Sequence, residues 1–139
     1  MRIVTTEESL QTRGHTDILD VTALIQAAVD KAQIAGGQAT IFVPGSTASV
    51  TTIEDEPGLR ADLRTAVERL APEGAAYQHD QRWGDGNGYA HVRAALLGPS
   101  VAVPITNGRL MLGAWQQIVL VDFDNRPRTR RLVIQIMGE

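Results

Sequence analysis

The segment Gln78-His79-Asp80-Gln81-Arg82-Trp83-Gly84-Asp85-Gly86-Asn87-Gly88-Tyr89-Ala90-His91 concentrates side chains that can do chemistry. It holds two of the three histidines, two aspartates, three amides and three glycines. If Gly88 opens a helix, Asn87 sits at its cap. His91 then lies one turn further on the same face, because positions four apart stack on a helix. His79, on the loop before it, folds back to them. Neutral imidazoles with carboxylate or amide oxygens suit a divalent metal ion, zinc or magnesium. The competing reading makes Asp85-Gly86-Asn87-Gly88 only a turn and a cap, with His79 on the surface. A calcium loop fits worse. Asp80 and Asp85 lack the alternating oxygen ligands and the closing Glu of an EF-hand.

Four other places carry weaker signals. In Pro44-Gly45-Ser46-Thr47-Ala48-Ser49, a glycine and two hydroxyls follow an apolar run. Such a turn can offer backbone N–H groups to phosphate, but it lacks the Lys and spacing of a P-loop. A plain tight turn is the simpler reading. Glu54 is a candidate general base or metal ligand, although acids ahead of a helix commonly serve its positive end. In Gly113-Ala114-Trp115-Gln116-Gln117, Trp115 and Gln116 suit an aromatic wall and an amide at a pocket. A core Trp with its indole N–H tied down is the ordinary alternative. Arg126, Arg128, Arg130 and Arg131 make a basic patch able to grip an anion, and read more simply as a solvated hairpin tip. His15 is assigned nothing. No Ser/His/Asp order and no dinucleotide fingerprint is present.

The elements that must position these residues follow from periodicity. Arg2 to Gln11 reads as a strand, Thr12-Arg13-Gly14 as a turn, and His15 to Asp20 as a returning strand. Leu24, Ile25, Ala28, Val29 and Ala32 recur at helical spacing, with Thr22 or Asp20 as the cap and Gly36-Gly37 as the stop. Ala39 to Val43 and Thr47 to Ile53 read as strands. Pro57 opens a second helix whose stripe is Leu59, Leu63, Val67 and Leu70. Tyr77 to Gly86 reads as a loop and Gly88 to Leu97 as a third helix. Asn107-Gly108 predicts a hairpin between Val101 to Thr106 and Arg109 to Gly113. Trp115 to Phe123 and Arg128 to Met137 read as two strands joined by a turn. The last has apolar residues on both faces, which predicts cover on both sides, by helices or another subunit. The whole is one α+β domain over residues 1–139, with about three helices and a largely antiparallel mixed sheet.

Composition sets the outer limits. The chain has 139 residues, 43% hydrophobic and 21% charged, enough for one domain with a real core. Thirteen basic and sixteen acidic residues give a net charge of −3, which argues against nucleic acid as a partner. No cysteine is present, so disulfides, thiolate metal sites and thiol nucleophiles are excluded. No apolar run approaches membrane-spanning length, and the start of the chain carries no signal-peptide core, so the expected compartment is the cytoplasm.

His79, the run Asp85 to His91, Leu97-Gly98-Pro99-Ser100, Gly108-Arg109-Leu110 and Leu112-Gly113-Ala114-Trp115-Gln116 occur in an order that resembles the YjbQ-like family. Asp20-Val21-Thr22, Val43 to Val50 and Glu54 extend the resemblance over nearly the whole chain. The family is known as secondary thiamine-phosphate synthase enzymes. The resemblance implies a homotrimer with a polar pocket near the subunit interfaces, often holding a metal ion. Carried over by position, it makes His79 and His91 metal ligands with catalytic roles, and Glu54 a base or further ligand. Thr47 and the backbone at Ser46 face an oxyanion. Asp85 and Asn87 line the site, with Trp115 and Gln116 as a wall. Ser46 and Tyr89 stand where many members have histidine, and Ala114 where many have threonine, so fewer imidazoles surround the metal here. The implied ligand is a phosphorylated small molecule, with thiamine-phosphate synthesis as a side activity. The alternatives are a non-catalytic trimer binding a metal or anion, and a structural trimer whose polar residues cap helices.

Overall fold

Alternating β-branched residues and short apolar runs give this chain eight strands. The computed structural model describes residues 1–139. In chain order the elements are β1 (Arg2–Thr12), β2 (Asp17–Asp20), α1 (Thr22–Ala32), β3 (Gly37–Phe42), β4 (Ala48–Glu54), α2 (Pro57–Leu70), α3 (Gln78–Trp83), α4 (Gly88–Leu97), β5 (Ser100–Thr106), β6 (Arg109–Leu110), β7 (Gln116–Asp122) and β8 (Arg128–Gly138). The strands form two sheets, ordered β1-β8-β3-β5-β6 and β2-β7-β4. Every pairing is antiparallel. No helix is long and apolar enough to cross a membrane.

The α+β class stands, with two sheets in place of one. The reason lies at the first turn. Gly14, His15 and Thr16 all adopt positive φ, 77°, 54° and 62°. That left-handed run carries the chain out of the first sheet, so β2 pairs with β7 and not with β1. The His15 N–H donates to the Asp124 carbonyl at 2.7 Å, fixing the crossing. A Cβ on Gly14 would lie 2.6 Å from both the Asp124 and Arg126 carbonyl oxygens. Gly14→Ala is therefore expected to destabilise the protein by about 2 kcal/mol or more, from positive φ and the clash together. Urea unfolding measures it; an unchanged midpoint would contradict the close approach.

Two apolar clusters flank the small sheet. The larger joins Ile25 and Val29 of α1 to Ile41, Val50, Leu120, Leu132, Ile134 and Ile136 of the two sheets. The smaller packs Val67 of α2, Tyr89, Ala90 and Ala94 of α4 against Val119, Val121 and Phe123. Strand β7 is thus covered on both faces, and each residue from Ile118 to Asp124 is fully buried. The two-faced cover expected for the last strand belongs to β7. In β8 the inner face is core, whereas Met137 on the outer face is exposed in this single chain. Nor do β7 and β8 make a hairpin; their turn crosses between sheets.

Other boundaries shift for local reasons. Residues 78–83, read as loop, form helix α3, too short to show apolar periodicity. There are four helices, one more than expected. Pro57 opens α2 as expected, with the Glu56 carboxylate accepting from the Gly58 and Leu59 N–H groups. Leu70 is exposed, because the Ala71 turn leaves it beyond the packed stripe. For α1 neither Thr22 nor Asp20 is the cap residue: Val21 is, while Asp20 accepts from the Thr22 N–H at 2.9 Å. The Asn107-Gly108 hairpin forms, but its second strand is only Arg109–Leu110.

Candidate functional site

Helices α3 and α4 bring the two histidines together. The Asp80 carboxylate accepts from the Gly88 N–H at 2.8 Å, so α3 is tied to the first turn of α4. Asn87 occupies the cap position of α4, and the His91 N–H donates to its carbonyl at 3.3 Å. In consequence the His79 and His91 rings lie 4.2 Å apart between centroids, tilted by 36°. His79 Nδ1 is buried and makes no hydrogen bond. Its closest acidic atoms are Asp80 Oδ1 at 3.6 Å and Asp85 Oδ1 at 3.8 Å, beyond hydrogen-bond range. Ligand atoms of His79, Asp80 and Asp85 all lie within 4.8 Å of one another. Burial holds His91 below the usual histidine range, and His79 beside it acts the same way, against the carboxylates of Asp124, Asp85 and Asp80. A neutral imidazole is the form that binds metal.

The floor of the site comes from the turn after β7. Asp124 is wholly buried and accepts from Thr47 Oγ1 at 3.0 Å, Asn87 Nδ2 at 3.2 Å, Arg128 Nε at 2.9 Å and the Asn125 N–H at 2.8 Å. Burial alone would raise its pKa. The Asn125 N–H, the Asn87 amide, the Thr47 hydroxyl and Arg128 more than offset that and hold it at about 2. Asp122, also buried, accepts from Arg130 Nε at 2.7 Å and Nη2 at 2.9 Å, and from Thr12 Oγ1 at 2.5 Å. Arg130 Nη2 also donates to Thr47 Oγ1 at 2.6 Å. Two charges of each sign are thereby interlocked beneath the histidines.

Arg130 has one group left over. Its hydrogen bonds engage Nε and Nη2, while Nη1 has no acceptor within the protein. Nη1 lies against Gly45, where a Cβ would come within 3.1 Å of it. Gly45 also takes φ +136°, a conformation that favours glycine. Asn87 has a leftover as well: Nδ2 is bonded to Asp124 and the buried Oδ1 has no partner. These residues line a cleft of about 390 Å³ with Ser46, Thr47, Asp85, His79 and His91; Trp83 and Arg128 complete the wall.

The sequence candidates therefore divide into two groups. His79, His91, Ser46, Thr47, Asp85 and Asn87 share the cleft. Glu54, Trp115 and Gln116 do not. Register pairs Ala48 with Asp122 at the cleft end of the small sheet and Glu54 with Gln116 at the other, about 20 Å away along the strand. Trp115 is neither core nor cleft; it is 75% exposed. Gln116 donates to Thr52 Oγ1 at 2.9 Å and accepts from the Gly113 N–H at 3.0 Å. It borders a separate groove with Asp20, Gln26 and Arg109. Tyr89 turns away from the cleft into the smaller core, with Arg93 4.9 Å above its ring. Its hydroxyl is buried without a partner, and burial, aided by nearby Glu73, pushes the phenol up.

The arginine patch requires correction. Arg126 and Arg131 are exposed as a solvated tip would be, but Arg130 is buried and Arg128 half-buried, both engaged with aspartates. Asp80 and Trp83 stand in the candidate segment, and Asp122 and Asp124 near the basic patch, but sequence reasoning assigns none of the four a role in the site. A signal existed: Asp122-x-Asp124 and Arg128-x-Arg130 each place like charges two apart, on one face of an extended chain.

The comparisons with known proteins agree with this fold. The family model described as UPF0047 protein YjbQ-like matches residues 6–139. A UPF0047 protein of Archaeoglobus fulgidus is 37% identical over 131 residues, covering 94% of this chain and 99% of its own. The UPF0047 protein YugU of Bacillus subtilis is 33% identical over 131 residues, covering 93% and 96%. Among solved structures, a hypothetical protein from Aeropyrum pernix superposes with TM-score 0.90 at 30% identity, covering 98% of this chain and 99% of that one. A YbjQ-like protein of unknown function from Sulfolobus solfataricus gives 0.89 at 28% identity, covering 99% and 100%. The chain belongs to the YjbQ-like UPF0047 family.

Proposed function

We propose that the cleft binds a phosphorylated small molecule beside a divalent cation and carries out transfer chemistry of the secondary thiamine-phosphate synthase type. One observation carries this reading. Three residues that line one cleft, His79, Asn87 and Arg130, each carry a polar atom with no protein partner: Nδ1, Oδ1 and Nη1. Two are lone-pair groups suited to a cation, and one is a charged donor suited to an anion. Unpaired buried polar groups cost free energy, so a ligand that satisfies His79 Nδ1 and Asn87 Oδ1 is favoured by each, while Arg130 Nη1 adds a charged donor beside them.

The residues present fit a metal ion. His79 and His91 would hold it, with Asp85 and the Asn87 oxygen as oxygen ligands; two imidazoles favour zinc over magnesium. Bound there, such an ion would polarise a phosphoryl oxygen and neutralise charge on a leaving group. Arg130 Nη1 and the Ser46-Thr47 backbone would orient the anion. A homotrimer accounts for two further features. The outer face of the large sheet leaves Ile3, Phe42 and Met137 exposed. Glu54, Trp115 and Gln116, remote from the cleft of their own chain, would then serve a neighbour's. We place the protein in the cytoplasm.

A non-catalytic binding trimer is the second reading, favoured by the distance of Glu54 from the histidines. The test is direct. Purified protein, supplied with zinc, magnesium or manganese, is incubated with the aminopyrimidine diphosphate and thiazole phosphate, and products are read by mass spectrometry. Thiamine phosphate that disappears with chelator and in His91→Ala is the expected result. Metal and phosphate binding without product would leave the binding module.

A further inference from the structure

We propose that Trp83 is the ring-binding wall of the cleft, so that the ligand carries a planar ring next to its anionic group. The inference rests on the reading of the cleft as an anion site. Every other residue lining that cleft is polar, charged or glycine; Trp83 alone is apolar. It is nonetheless 64% exposed and makes no hydrogen bond through its indole N–H. Leaving so large an apolar surface in water is unfavourable, and a second flat surface against it reverses that.

Its placement is set by local structure. His79 and Trp83 are four apart on α3, which puts the imidazole and the indole on one side of the helix. The left-handed Gly84 ends the helix there, its N–H bonded to the Asp80 carbonyl at 2.8 Å. The Arg82 guanidinium lies 5.2 Å from the indole centroid, so one ring face carries a cation and the opposite face is left for a ligand. A molecule spanning from Arg130 Nη1 to Trp83 would therefore place its charge at the Gly45 end and its ring at the α3 end. The single apolar ring at one end of an otherwise polar lining favours an aryl or heteroaryl phosphate over an aliphatic one.

Two probes separate the ring from the charge: inorganic phosphate and phenyl phosphate, titrated calorimetrically into wild type, Trp83→Ala and Trp83→Phe. Phenyl phosphate is expected to bind about tenfold more tightly than inorganic phosphate in wild type. Trp83→Ala should bring that ratio to about one while moving the inorganic phosphate affinity by less than about twofold, and Trp83→Phe should keep most of the preference. Because Trp83 is exposed, circular dichroism should show all three folded. A wild-type ratio near one, or a preference that survives Trp83→Ala, overturns the ring wall while leaving the anion site standing. Failure of both probes to bind wild type overturns the wall and the anion site together.

Discussion

Asp124→Ala is expected to lose about 3–5 kcal/mol of stability at pH 7, the range for breaking a buried ion pair from one side. The side chain is fully buried and accepts from Thr47, Asn87, Arg128 and the Asn125 N–H. Removing it strands four donors, half-buried Arg128 among them. The acid limb should change too. Asp124 titrates at about 2 in the folded protein, against 3.8 for the unfolded group. A lowered folded pKa contributes stability above the unfolded value, lost as pH falls from about 4 through about 2. The gap of about 1.8 pH units, 3.8 minus 2, corresponds to about 2 kcal/mol. Urea unfolding from pH 6 down to pH 2 should show wild type losing about that much more than the variant. Parallel acid limbs would mean that Asp124 is not the ionised hub of the site.

What the sequence made legible here, and what it concealed, divides by range of interaction. Helices α1, α2 and α4 show in their spacing because periodicity is a local property. The Asn87–His91 step was likewise readable, being one helical turn. Short α3 was not, since six residues hold under two turns and no apolar stripe. The second sheet was hidden because it depends on the left-handed run Gly14 to Thr16, where His15 and Thr16 adopt φ values their residue types do not advertise. Arg128 and Arg130 looked solvated because nothing local shows that Asp122 and Asp124 are buried beneath them. Glu54 illustrates the opposite limit. It was grouped with the histidines by resemblance, and β4 carries it to the far end of the small sheet.

His79→Ala is expected to weaken metal binding by on the order of 100-fold with little effect on folding. The contrast with Asp124 is the point. His79 Nδ1 makes no hydrogen bond, and the ring's close neighbours are His91 and two carboxylates beyond bonding distance. Its removal breaks no internal network, so the stability change should stay within about 1 kcal/mol. A purely structural histidine would behave in reverse, with lost stability and unchanged binding. Elemental mass spectrometry on wild type and His79→Ala, both reconstituted with zinc, magnesium and manganese and checked for folding, decides between them. Close to one metal ion per wild-type chain, lost in the variant, is the predicted result. A wild type that takes up none of the three, or a variant that keeps what wild type holds, would contradict the metal site at His79 and His91.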